Sequence, residues 1–271
     1  MNKKYKYSIL LFFLWAQVVA SQAKKPSDSP NILFVFSDDH AWQSIVAYGG
    51  RLKEVAHTPH IDKLASEGML FRKCFVANAL CGPSRAAVLT GKYGHRNGVT
   101  WNKNTNFDGS QQTFPKMMRK NGYQTAIIGK WHLASVPTGF DYFDVMKGQG
   151  RYYNPFLQRG NAEGLQDTRT VVGYNSDIVG DLTIEWLKNG RDKSKPFMLM
   201  SQFKATHHGF CPGPDEYDLY DDIHIPEPDN LFDDFSYRGT AIREQTLTLY
   251  KNLSHGILVG DPGELGKLNP K

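Results

Sequence analysis

Short apolar runs that empty into polar segments alternate along this chain with stretches of helical periodicity, and that alternation restricts it to few folds. Asn31-Ile32-Leu33-Phe34-Val35-Phe36 ends in Ser37-Asp38-Asp39-His40, the pattern of a strand buried in a parallel sheet that runs out into a loop. Further strands are expected over 71–77, 124–128 and 197–203. Between them, Thr58-Pro59 opens a helical segment with Ile61, Leu64 and Ala65 and a stop at Gly68, an early proline and a late glycine in their usual places. Pro83 begins a second helix through Ala86-Ala87-Val88-Leu89 to Gly91, which puts Cys81 just ahead of it. Two more helices are expected, one over 114–120 stopped by Asn121-Gly122, the other over 176–188 with Ile178, Leu182 and Trp186 on one face. The alternation predicts an α/β fold with a mostly parallel central sheet flanked by helices. Such sheets bind ligands beyond the carboxyl ends of their strands, where Asp38, Asp39, Lys130, His132 and His207 all fall.

The first segment reads as an address. Lys3, Lys4 and Lys6 precede an apolar run over 9–20 and the small-residue stretch Ala20-Ser21-Gln22-Ala23, the pattern of a secretory signal peptide with cleavage near Ala23. The run is shorter than the roughly 20 residues of a spanning helix, so no stable membrane span is expected. The expected mature domain is 24–271, in an exported protein of a periplasm, the extracellular space or a lysosome-like lumen. Removing 1–23 takes away three lysines and no acid, leaving 29 basic against 27 acidic residues. With no Lys/Arg stripe, a nucleic-acid partner is excluded, and any anion must be met by a local site. The three cysteines, Cys74, Cys81 and Cys211, are an odd number for an exported protein. If Cys81 is chemically consumed, Cys74 and Cys211 are left to pair or to stand as two buried thiols. The acidic, proline-rich region 212–240 reads as an ordered excursion over the surface.

The most specific motif is Cys81-Gly82-Pro83-Ser84-Arg85 with Thr90-Gly91 behind it. It resembles the modification motif of the formylglycine-dependent sulfatases, members of the alkaline-phosphatase-like superfamily, and matching segments extend over 31–39, 58–70, Gly122-Tyr123, Gly129-Lys130-Trp131-His132 and the His207 region. The resemblance implies that Cys81 is oxidised to formylglycine by a formylglycine-generating or anaerobic sulfatase-maturating enzyme. The hydrated aldehyde then attacks sulfur, and its second hydroxyl lets the sulfated intermediate collapse and expel sulfate, which a serine ester could not do. A helix start behind the nucleophile suits a tetrahedral anion, and Arg85, one turn on, is placed to hold the hydrate.

Asp38-Asp39 offers two hard carboxylates, suited to calcium or magnesium, although such pairs also cap turns. The resemblance implies calcium held by Asp38, Asp39 and the converted Cys81. It further implies that Lys130 binds sulfate and the hydrate, and that His132 is the base that triggers elimination. Lys130 and His132, two apart on an extended segment, would face one side. Lys204-Ala205-Thr206-His207-His208-Gly209-Phe210 resembles the family's His-x-Pro-Phe/Trp segment with glycine where proline is usual. His207 is then the sulfate contact and acid, with His208 the competing choice.

His40, His57, His60, His95, His224 and His255 have no comparable context. The family's second metal-ligand pair and its later lysine have no counterpart here, so the resemblance is to a truncated, N-terminal portion of a catalytic domain, and activity of this chain alone is expected to be poor. Aromatic and acidic residues in 150–153 and 212–220 suit a sugar-lined pocket, which favours sulfated carbohydrate substrates. Two readings of other classes stay open: a related metal-dependent phosphoesterase, and a non-catalytic sulfated-glycan-binding remnant.

Overall fold

The computed structural model describes residues 29–103 and 105–246, so the expected signal peptide lies outside the described residues. Six strands form one sheet: β1 (Ile32–Phe36), β2 (Gln124–Lys130), β3 (Tyr142–Met146), β4 (Phe156–Asn161), β5 (Gly164–Thr170) and β6 (Phe197–Gln202), in the spatial order β1-β6-β2-β3-β4-β5. β1, β6, β2 and β3 are mutually parallel, whereas β4 and β5 add an antiparallel hairpin at one side. The helices are α1 (Pro59–Glu67), α2 (Cys81–Thr90), α3 (Gly94–Asn97), α4 (Phe114–Lys120), α5 (Asn175–Glu185) and α6 (Thr240–Arg243).

Side-chain alternation divides the core between the two faces of the sheet. Ile127, Phe143, Val145, Met198 and Met200 pack with Ala86 and Leu89 of α2. Their alternate neighbours Ala126, Ile128, Met146 and Leu199 pack with Ile178, Val179 and Trp186 of α5 or the π turn after it. Each such buried side chain contributes about 1.5–3 kcal/mol by leaving water, which fixes both helices against the strands whose ends carry the polar groups. Phe36 lies beside Gln202, and Gln202 beside Gly129. The chain segments after β1, β2 and β6 therefore leave the sheet side by side.

Several sequence expectations need correction. No strand forms over 71–77: no neighbouring strand takes up its backbone groups, and Phe71, Phe75 and Val76 lie exposed in a loop. β1 exists but is not buried on both faces. Pairing only with β6, it leaves Leu33 and Val35 half exposed among the described residues. α2 starts at Cys81 itself, since Ser84 N–H already donates to the Leu80 carbonyl at 2.8 Å. The strands β3, β4 and β5 went unread. Their polar alternation serves an ion network in which buried Asp144 accepts from Arg159 Nε at 3.0 Å and from Arg169 Nη1 and Nη2 at 3.1 and 2.5 Å, tying the hairpin to β3. Region 212–240 is a run of turns with one short 3-10 helix at Pro214–Glu216. Among the described residues no helix is long and apolar enough to cross a membrane.

Candidate active site

Cys81 is the first residue of α2, and Gly82 and Pro83 complete the start of its first turn. Proline is tolerated there because those N–H groups have no intrahelical acceptor. Gly82 is needed for a different reason: a Cβ at this position would stand 2.6 Å from Thr105 Cγ2 and 3.2 Å from Asn102 Oδ1. Its absence lets Asn102 approach and accept the Gly82 N–H at 3.1 Å.

Arg85 follows one turn later and is buried. Its Nη2 donates to Asp38 Oδ2 at 3.0 Å, and its Nη1 donates to the Lys130 carbonyl at 2.6 Å and to Gln202 Oε1. The guanidinium also lies 5.2 Å from the centroid of the Phe36 ring. One side chain thus braces α2 against the ends of β1, β2 and β6, a role broader than the hydrate contact expected from sequence.

Lys130, the last residue of β2, is wholly buried and donates to Asp38 Oδ2 at 2.5 Å and to Gln149 Oε1 at 2.6 Å. Burial would raise the Asp38 pKa, but Lys130 and Arg85 outweigh it and hold the carboxyl below its ordinary range. Burial pulls Lys130 down, partly offset by Asp38. Burial lowers Arg85 in the same way, again opposed by Asp38.

His132 does not share a face with Lys130 by strand alternation. Its φ of 49° is left-handed, so the chain has already turned away from β2. The imidazole is nevertheless buried in the same charge cluster, with Nδ1 lacking a hydrogen-bond partner among the described residues. Burial, then Lys130 and Arg85, push its pKa down to about 4, so it is neutral near pH 7.

The two adjacent histidines differ in position. His207 is buried and His208 exposed, their rings 4.2 Å apart. His207 lies close enough to the Cys81 thiol to lower its pKa, and its Nε2 lies 3.9 Å from Asp39 Oδ2. Tyr152 O–H donates to the His207 carbonyl at 2.5 Å, Tyr153 O–H to Pro212 at 2.5 Å and Tyr174 O–H to Cys211 at 3.1 Å, so three tyrosines secure this loop. Asp38 N–H donates to the Ala205 carbonyl at 3.0 Å and Thr206 N–H to the Asp38 carbonyl at 2.7 Å, which joins the β1 and β6 loops.

The Cys81 thiol is raised by burial, yet His207, Lys130 and Gln149 together lower it on balance. A cleft lined by Asp38, Asp39, His40, Asn78, Cys81 and Arg85, among others, with a volume of about 310 Å³, opens on this group. Asp38, Cys81, Arg85, Lys130, His132 and His207 therefore converge, with Asp39 at the exposed rim. Sequence reading missed Asn102, Gln149 and Gln202, uncharged carboxamides that carry no motif signal. His95 lies outside this cluster, exposed and stacked on Tyr93 at 6.0 Å. Cys74 is exposed and Cys211 buried, and no disulfide links the cysteines among the described residues.

The Asp38 and Asp39 carboxylates are hard oxygen donors of the type calcium or magnesium takes, and Asp39 is largely uncommitted to protein partners at 60% exposure. They fit such an ion as part of a ligand set. Among the described residues no group of three or more His, Cys, Asp or Glu side chains is gathered to hold one.

Comparison with known proteins agrees with this arrangement. The sulfatase family model matches residues 30–253. The N-acetylglucosamine-6-O-sulfatase of Bacteroides thetaiotaomicron is 44% identical over 256 residues, covering 92% of this chain and 44% of the relative. Human N-acetylgalactosamine-6-sulfatase is 38% identical over 221 residues, covering 69% of this chain and 41% of the relative. A solved structure of a protein in complex with its substrate D-glucosamine-2-N,6-O-disulfate superposes with a TM-score of 0.79 at 43% identity, covering 88% of this chain and 47% of that one. The chain spans less than half the length of these relatives. With its helix-initial Cys81 motif, its sheet-end cluster and these matches, the chain belongs to the sulfatase family.

Proposed function

We propose that this site serves hydrolysis of sulfate esters on carbohydrates, most closely a 6-O-sulfated glucosamine unit, with Cys81 converted to formylglycine as the nucleophile. The observation that carries the reading is the placement of Cys81 at the start of α2, inside a ring formed by Lys130, His207, Arg85 and Asp38. The relatives named for sulfated hexosamines support the substrate class.

The residues divide the work by charge and burial. Lys130 and the N-terminal end of α2 supply positive potential where a sulfate group must sit. His207, beside residue 81, is placed to give a proton to the leaving alcohol. His132, neutral near pH 7, serves as the base toward a hydroxyl at residue 81, once the negative charge of a bound sulfate offsets the Lys130 and Arg85 cations that hold its pKa down. Asp38 and Asp39 would hold a calcium or magnesium ion, which when bound supplies Lewis-acid stabilisation of sulfate oxygens. The formylglycine hydrate supplies a nucleophile whose second hydroxyl permits release of sulfate. Maturation by a formylglycine-generating or anaerobic sulfatase-maturating enzyme, and export through the leader at 1–23, complete the proposal.

The test is mass spectrometry of the residue-81 peptide after co-expression with a maturation enzyme, together with sulfate release from N-acetylglucosamine 6-sulfate. Conversion of the thiol, with turnover abolished in Cys81→Ala, is expected. An unconverted thiol under those conditions, or sulfate release that survives Cys81→Ala, would overturn the mechanism.

A further inference from the structure

We infer that Asn102 and Gln149 form a two-sided carboxamide clamp that aims N–H donors at the side chain of residue 81 and sets its orientation for reaction. The inference deepens the proposed sulfatase reading and rests on it for its catalytic consequence. Asn102 Nδ2 lies 3.4 Å from Cys81 Sγ, and Gln149 Nε2 lies 3.8 Å from the same atom. Sγ here stands where the oxygen substituents of the converted residue would be.

What makes this a clamp is that neither amide is free to turn over. A carboxamide presents its oxygen to one neighbour and its nitrogen to another, and the neighbours decide which. The Gly82 N–H is a donor only, and it takes Asn102 Oδ1 at 3.1 Å. The Lys130 ammonium is a donor only, and it takes Gln149 Oε1 at 2.6 Å. Each oxygen is therefore committed, and each NH₂ group faces residue 81. The supports are themselves rigid: Gly82 belongs to α2, and Lys130 is wholly buried and held by Asp38 at 2.5 Å. Gln149 is presented from a tight turn between Gly148 and Gly150, whose φ angles are 63° and 71°.

Two fixed donors from different loops accept only a lone-pair-bearing atom between them, so they leave the side chain one orientation relative to His207 and Lys130. Donors preorganised around an atom that gains negative charge are the arrangement that lowers a barrier without reorganisation. Asn102 and Gln149 are thus positioning residues, acting through residue 81.

The test separates this from a merely structural role. Gln149→Glu keeps an oxygen for Lys130, and Asn102→Asp keeps one for Gly82, but both replace the inward N–H by an acceptor. Gln149→Met removes both contacts at nearly constant volume. The first measurement is the alkylation rate of Cys81 by iodoacetamide in unconverted protein at fixed neutral pH, followed on the residue-81 peptide with thermal midpoints recorded. All three variants should react at least about threefold more slowly, because thiolate loses its donors, whereas simple loosening of the loop would speed the reaction. The second is turnover of converted protein normalised to formylglycine content: kcat is expected to fall about tenfold or more, by the scale of lost oxyanion donors, with KM changing less. Wild-type alkylation in Gln149→Glu and Asn102→Asp would overturn the clamp and leave both amides as braces for Lys130 and Gly82. Slowed alkylation in a protein that releases no sulfate would sink the sulfatase reading while upholding the clamp.

Discussion

Asp38 and Lys130 meet at 2.5 Å with side chains only 6% and 0% exposed, so neither charge has water to fall back on. Arg85 shares the same carboxylate oxygen at 3.0 Å. Removing the acid leaves two buried cations facing each other, a loss of the kind that costs about 3–5 kcal/mol.

The neighbouring acid behaves differently. Asp39 is 60% exposed and, among the described residues, its carboxylate has a 3.9 Å approach to His207 as its ion-pair contact. Asp38→Ala should therefore lower the urea midpoint strongly, whereas Asp39→Ala should stay within about 0.5 kcal/mol of wild type. Calcium titration by calorimetry should nevertheless show weakened binding in Asp39→Ala. Equal stability losses in the two variants would mean that Asp38 is not the anchor of this cluster, and unchanged calcium affinity in Asp39→Ala would make its carboxylate a bystander.

Backbone approach gives a second prediction. Gly129 has a φ of 100°, and a Cβ there would run into the carbonyl of Gln202 on the paired strand β6. Gly129→Ala should destabilise by more than about 2 kcal/mol, since backbone cannot move aside as a side chain can. Gly148→Ala is the control: its φ is 63°, but nothing lies within 4 Å of the added carbon, so only the left-handed cost of about 1–2 kcal/mol applies. Denaturant midpoints that fall equally for both would remove the steric argument.

Much of this architecture was legible because it repeats. The apolar runs of β2 and β6 and the proline-to-glycine pattern of α1 encode their own conformations, and Cys81 announces itself through the residues around it. What failed did so for physical reasons. The run 71–77 has strand-like composition but no partner strand among the described residues, and a strand is completed only by pairing. β3, β4 and β5 carry Asp144, Arg159 and Arg169 where a reader expects apolar residues, because their charges satisfy one another off-sequence. Asn102 and Gln149 were invisible because a carboxamide acquires direction only from its neighbours in space.

The last prediction concerns pH and His132. Burial, with Lys130 and Arg85 adding repulsion, lowers its folded-state pKa from 6.5 to about 4. Between those values an unfolded chain binds a proton that the folded chain refuses, so stability rises with pH across this window. The contribution is complete above pH 6.5 and is lost as pH falls towards 4, amounting to about 3 kcal/mol at 1.36 kcal/mol per unit. Other groups move too: His40 is also lowered by burial. Asp38, held below its ordinary 3.8, stays ionised throughout the window. Subtracting a His132→Asn variant cancels these shared terms. The wild-type minus variant stability, measured by urea titration at half-unit intervals from pH 4 to 7.5, should decline steadily below pH 6.5 and level off above it. A difference that does not vary with pH would show that His132 titrates alike in both states, and would remove the case for an imidazole held neutral by its burial beside Lys130 and Arg85.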